Sequence, residues 1–310
     1  MDCGSPMVAI VDVGTNAMHL VIGRVEPHRQ FHVELERHDA ARLGDGGLAN
    51  GALTAAAMRR GMAVLSRYAA LLKRRRIDAV EAVATSAVRE AANGPAFVRR
   101  VRARLGLPLR IISGREEARL IYRGVARAQR IRRAALVIAI GGGSAQVMRG
   151  DGRRLRYAVS RPLGCVRLTQ QFIHHDPPRP EEVEALTWHV RRAWAPVARV
   201  IRRAHPRIAW GSSTAIRQLI RVAGRTDRPR SASISQRQVR GLIARLSAST
   251  AQERLRWPGM DPQRHAMLLA AGVALLAWME GCGVSTVRYA VGSLREGLVM
   301  EHLSRAGVRQ

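Results

Sequence analysis

The chain has 310 residues, 52 of them Lys or Arg against 23 Asp or Glu, a formal charge of +29 with His neutral. With 47% hydrophobic and 24% charged residues it can bury one or two ordinary cores, which excludes a disordered basic tail for most of its length. Its three cysteines, Cys3, Cys165 and Cys282, are odd in number and far apart, which argues against a disulfide framework or zinc cluster and leaves any metal to oxygen ligands.

In chain order, Met7 to Val25 reads as a β-branched strand, a Gly-Thr-Asn turn and a second strand, a hairpin. Leu53 to Lys73 has helical periodicity, Ile77 to Thr85 reads as a strand, Gly94 to Leu105 as a helix and Leu109 to Ile112 as a short strand. Ile112 to Val125 places Glu116 and Glu117 at the opening of a helix after Ser113-Gly114. Ala135 to Gly150 then repeats the strand, Gly-rich turn and strand of the N-terminus, which points to internal duplication at about half the chain. Aligning Gly14 with Gly141 sets Asp12 against Ala139. Pro180 to Ala204 reads as an Arg-rich helix and Ile208 to Trp210 as a strand entering a Gly-Ser-Ser-Thr turn. Gly224 to Ser235 reads as a loop, and Gln263 to Glu280 and Leu294 to Arg305 as helices. The apolar run Ala266 to Met279 is too short for a bilayer and is expected to be a buried helix. No secretory signal is legible at the N-terminus, so a cytoplasmic protein without a membrane segment is expected. The domain boundary is expected near the basic segment Arg123 to Arg133: residues 1–128 as one domain, completed by a C-terminal helix over about 297–310, and 129–296 as the other.

Nearly all the positive charge is Arg, since Lys73 is the single lysine, and part of that reads as coding composition. The shortage of acids does not, and such a body attracts polyanions over about a Debye length. Single-stranded nucleic acid is disfavoured by an aromatic content of 4% with no aromatic-basic interleaving, and no helix-turn-helix or zinc-finger spacing is found, leaving nonspecific nucleic-acid binding only. A Gly-rich turn between strands presents backbone N–H groups to an anion. Asp12, at the start of the first turn, is placed to hold magnesium directly or through water. Alone, each turn reads equally well as an ordinary hairpin, Asp12 as a cap and the two Glu as helix N-terminal charge. Together they are the parts expected for metal-assisted attack of water on a phosphoanhydride.

Six segments in order resemble the exopolyphosphatase and guanosine pentaphosphate phosphatase family: Asp12 to Asn16, Ala84 to Asn93, Ser113 to Leu120, Gly141 to Ser144, Pro162 to Leu168 and Gly292 to Gly297. The resemblance implies an α/β fold of two actin-like, ribonuclease H-like domains with the active cleft between them, and a homodimer. It implies that Asp12, Gly14, Thr15 and Asn16 form the first phosphate and metal turn, and Gly141, Gly142, Gly143 and Ser144 the second. Glu117 would be the base that orients the attacking water, and Arg89 would line the anion path. The partners implied are inorganic polyphosphate or guanosine pentaphosphate, with magnesium as cofactor. The family's second turn normally carries two acids where this chain has Ala139 and Gln146, and a further acid is matched by Ala266. These losses weaken metal binding and water activation while making the cleft more attractive to a polyanion. Two readings stand: a phosphohydrolase with weakened catalysis, and a non-hydrolytic polyphosphate or nucleotide binder acting as sensor or partner subunit.

Overall fold

A computed structural model describes residues 6–26, 30–152, 154–203, 208–224 and 232–305. The chain separates into two compact units, Met1–Gly124 with Leu294–Gln310, and Val125–Ser293.

The first unit contains β1 (Met7–Val13), β2 (Met18–Glu26), β3 (Gln30–Asp39), α1 (Ala55–Lys73), β4 (Ala79–Ala84), α2 (Ser86–Glu90), α3 (Gly94–Leu105) and β5 (Leu109–Ile111). Helix α4 (Gly114–Ala128) follows, and the division of the chain falls within it. Its sheet runs β3-β2-β1-β4-β5, with β1 to β3 antiparallel and β4 and β5 parallel to β1. Val8, Ala9, Ile10 and Val11 are all buried because β1 lies at the sheet centre, where both faces are covered. Thr54 starts α1 by accepting a hydrogen bond from the Ala57 N–H at 3.1 Å, and the helix buries Gly61, Val64, Leu65, Tyr68 and Leu72 along one stripe. Helix α3 ends at Gly106, whose φ of 68° suits glycine.

The second unit contains β6 (Ala135–Ile140), β7 (Ala145–Gly150), β8 (Leu155–Arg161), α5 (Cys165–Phe172), α6 (Pro180–Arg202), β9 (Ile208–Gly211) and α7 (Thr214–Gly224). It continues with β10 (Ser233–Ser235), α8 (Gln236–Ser247), α9 (Ala251–Leu255), α10 (Leu268–Cys282) and β11 (Thr286–Tyr289). The sheet order is β10-β11-β9-β6-β7-β8. Its β8-β7-β6-β9 portion repeats β3-β2-β1-β4 of the first unit, down to the antiparallel and parallel senses. Both units are thus actin-like α/β folds, each built on a three-stranded meander followed by parallel strands.

The apolar run Ala266 to Met279 becomes α10, which packs against α5, α6, α7 and α8 and buries Trp278 and Met279 completely. Residues 265–282 are the one described segment long and apolar enough to cross a membrane, and two thirds of that window is buried in the core. A short 3₁₀ turn, His265–Met267, stands where the expected helix was to begin, so α10 starts at Leu268. Of the expected loop Gly224 to Ser235, residues 225–231 lie outside the described residues. Ser233–Ser235 instead forms β10, because the edge of β11 offers unpaired backbone groups to pair with. Strands β3, β8 and β11 and helices α2, α5, α7, α8 and α9 add to the elements legible beforehand.

Helix α11 (Leu294–Arg305) returns to the first unit and packs on β1. Its buried Glu301 accepts from Arg119 and, at 2.6 Å, from Arg305, with Arg123 and Arg110 at 3.6 and 3.8 Å. One carboxylate serves four guanidinium groups, a direct consequence of the scarcity of acids. Gly297 permits this close seating, since a Cβ there would stand 2.0 Å from the Leu120 carbonyl oxygen of α4. Gly297→Ala is therefore expected to cost about 1–3 kcal/mol in urea unfolding and to expose α11 to limited proteolysis. Wild-type stability with an intact helix would contradict the close approach.

Candidate functional site

The first turn hangs between β1 and β2, closed by a hydrogen bond from the Gly14 N–H to the Ala17 carbonyl at 3.1 Å. The Thr15 carbonyl accepts from Gly44 N–H at 2.9 Å and the Asn16 carbonyl from Arg42 N–H at 2.8 Å, so the chain after β3 holds the turn from behind. In a trans peptide the N–H of the next residue points opposite to the carbonyl. The N–H groups of Asn16 and Ala17 therefore face away from residues 42–44, as an anion-binding turn requires. Thr15 is buried, while Gly14 and Asn16 are half-buried.

Asp12 is the penultimate residue of β1, directly opposite His19 on β2 and Val83 on β4. Burial pushes its carboxyl up to about 6, against the lowering effect of Arg295, with Glu296 adding to the rise. Glu117 sits in the first turn of α4, where Ser113 caps the helix by accepting from the Glu116 N–H at 3.1 Å. The structure brings Arg89 from the end of α2 onto it: Arg89 Nη1 donates to Glu117 Oε2 at 2.9 Å and to the Ile112 carbonyl at 3.1 Å. Glu117 is buried, and burial raises its carboxyl to about 7 in spite of Arg89, with Asp12 and Glu90 contributing to the rise. The neighbouring Glu116 is engaged elsewhere, accepting from Arg110 at 2.6 Å.

Asp12, Glu117 and Arg89 thus form one electrostatically coupled group within the first unit. The structure adds Arg295, for which the sequence alone gave no role. Arg295, at the start of α11, feels the charges of Asp12 and Glu296, and it is held by an ion pair with Glu36 of β3. The matched segment Gly292 to Gly297 carried that signal.

In the second unit Gly141 N–H donates to the Ser144 carbonyl at 2.8 Å, the same closure as Gly14 to Ala17. Here the N-terminus of α5 does the holding: Cys165 N–H donates to the Gly141 carbonyl at 2.9 Å, Val166 N–H to that of Gly142 at 2.9 Å, and Arg167 Nε to that of Gly143 at 2.9 Å. The N–H groups of Gly142, Gly143 and Ser144 consequently face away from α5. Gly164 allows the contact, because a Cβ there would lie 2.3 Å from the backbone of Gly142 and Gly143.

The two turns differ in charge. Ala139 pairs with Gln146, and Gln146 with Ser160, in the sheet row that corresponds to Asp12, His19 and His38 of the first unit. Gln146 is buried, and its Nε2 donates to Ser144 Oγ at 2.8 Å and Ser160 Oγ at 3.2 Å. The amide is thereby committed to holding hydroxyls. Ser212 donates to the Gly292 carbonyl at 2.7 Å, and Ser213 caps α7 by accepting from Ile216 N–H at 3.2 Å. Ala266 is exposed in the 3₁₀ turn before α10. Among the described residues no three His, Cys, Asp or Glu side chains converge as a metal cage.

The profile of the Ppx/GppA phosphatase family matches residues 21–306. A Streptomyces coelicolor protein of uncharacterized role is 32% identical over 308 residues, covering 95% of this chain and 90% of its own length. The crystal structure of an exopolyphosphatase from Cytophaga hutchinsonii superposes with a TM-score of 0.88 at 27% identity, over 98% of this chain and all of that one. The Ppx/GppA family member of Aquifex aeolicus gives 0.79 at 26% identity, over 97% and 98% of the two chains.

Gly164→Ala is expected to displace the second turn and to cost about 1–3 kcal/mol in urea unfolding, with amide chemical-shift changes concentrated on Gly141 to Ser144. A variant as stable as the wild type with an unshifted turn would contradict the contact.

Proposed function

Because the chain belongs to the Ppx/GppA phosphatase family, we propose that it removes the terminal phosphate of inorganic polyphosphate or of guanosine pentaphosphate by attack of water, at a rate lowered by the missing acids of its second turn. The observation that carries this reading is the buried Glu117 carboxyl, raised to about 7, paired with Arg89 and coupled to Asp12. A base poised near neutrality can take a proton from water in one step and surrender it in the next.

In this reading the water proton passes to Glu117 as the water oxygen bonds to the terminal phosphorus. The bridging P–O bond breaks, and the shortened chain leaves with the bridging oxygen. Backbone N–H groups of Asn16 and Ala17 hold terminal phosphate oxygens, and Arg89 moves from Glu117 toward the phosphate it neutralises. Asp12 is the one carboxylate placed on the first turn. That donor set fits magnesium completed by water and phosphate oxygens, and does not fit a resident all-protein site. Asp12 would hold the cation, and the bound cation would supply charge neutralisation at the phosphoryl oxygens.

The second reading, a non-hydrolytic binder of polyphosphate or a nucleotide, draws its support from one sheet row: Ala139 and Gln146 are neutral, and the Gln146 amide is spent on Ser144 and Ser160. Removing negative charge beside a phosphate-facing turn favours retention of a polyanion over its cleavage.

If Glu117 is the base, phosphate release rises with pH through about 7, because only its ionised form accepts a proton. Arg89 lowers that value, so Arg89→Gln shifts the midpoint to higher pH. A midpoint that stays in place contradicts the assignment. Ala139→Asp with Gln146→Glu is expected to raise release about tenfold or more. Undiminished binding with no gain contradicts the explanation of weak catalysis and favours the binder.

A further inference from the structure

Helix α6 buries Leu186, Val190, Trp194, Val197 and Ile201 along one face. At its N-terminal end this face, at Val183 and Thr187, continues round the helix to Arg191 and Trp188, and with Ala244, Ser247 and Ala248 at the end of α8 these residues line a groove of about 740 Å³. The groove lies wholly within the second unit and contains none of the turn residues. The small side chains of α8 leave it open, and its volume is that of a small-ligand or anchor-residue pocket. Trp188 is 61% exposed, an indole that does nothing for the core, and the Arg192 guanidinium covers one face of its ring at 4.7 Å from the centroid.

The charge around the groove selects its occupant. Arg191 and Arg192 line it against the single acid Glu184. Beyond them Glu280 is shared by Arg191 at 3.1 Å and Arg240 at 2.7 Å, so one carboxylate answers two exposed arginines. A second copy of this chain would bring another +29 to the contact. Polyphosphate matches the arginines but has nothing to place against Trp188 and the alanines. From this combination we infer that the groove docks an acidic peptide segment that carries one bulky apolar side chain. The apolar anchor lies beside Trp188 between α6 and α8, and flanking carboxylates meet Arg191 and Arg192.

The test is selection of short random peptides displayed on phage against the full-length protein, with counter-selection on Trp188→Ser. Because Trp188 is exposed, this variant keeps wild-type thermal stability. The expected peptides carry several Asp or Glu around one aromatic or large aliphatic residue. Their synthetic copies should lose about tenfold or more in affinity both with Trp188→Ser and when the anchor is replaced by Ser. Three results overturn the inference. One is no enrichment over the variant, or enriched peptides that lack acids or the anchor. Another is long-chain polyphosphate binding that drops with Trp188→Ser as the peptide's does, which makes the groove a polyanion site. The last is a dimer in sedimentation that Trp188→Ser dissolves, which makes it a self-interface.

Discussion

Both Gly-containing turns depend on one device: their carbonyls are taken from behind, so their N–H groups have one direction left to face. In the first unit the residues after β3 do this through Gly44 and Arg42. In the second, α5 does it with three backbone N–H groups and the Arg167 side chain. Planarity of the peptide makes the rest obligatory. The geometry requires the backbones to approach closely, which is why Gly164 cannot carry a Cβ. The strand meander repeated in both units supplies the same hairpin twice, and the row beside the turn differs in charge between them. Asp12 remains in the first unit, and Ala139 stands at the matching place in the second.

The shortage of acids gives the charge of +29 a structural meaning. The remaining carboxylates are shared: Glu301 among four arginines, Glu280 between two. The first set fastens α11 to the first unit and so brings Arg295 toward Asp12. Removing Glu301 would leave several guanidinium groups uncompensated, which costs more than the net worth of the pair. Glu117 differs from these structural acids. It is buried beside one arginine, and burial outweighs that partner, leaving a carboxyl able to change its protonation near neutral pH.

Much of the fold was legible because long periodic segments carry their own boundaries. The hairpin beginning at Met7 shows in its β-branched run and Gly turn, α3 in its Pro and Gly ends, and the duplication in two similar Gly-rich hairpins. Strand β3 alternates Phe31, Val33 and Leu35 with polar residues, the period of two that marks a strand. Elements such as α2, α9 and β10 are too short for periodicity to mark, and β10 exists only because β11 offers it an edge. Arg89, Glu117 and Arg295 could each be picked out from a matched segment, but their pairing could not. Arg89 and Glu117 lie on different helices, and Glu36 and Arg295 near opposite ends of the chain, so only the order of strands brings each pair together. The contact of Gln146 with Ser160 was equally invisible, since it depends on the register of β7 with β8.

The measurement closest to the central claim is phosphate release from long-chain polyphosphate with magnesium, run on the wild type beside Glu117→Gln, with polyphosphate affinity recorded for both. The account predicts release from the wild type and none from the variant, at equal affinity, because the Gln amide keeps the side chain's shape and cannot accept the water proton. Equal release from the two proteins would contradict it, and would place the base elsewhere in the chain.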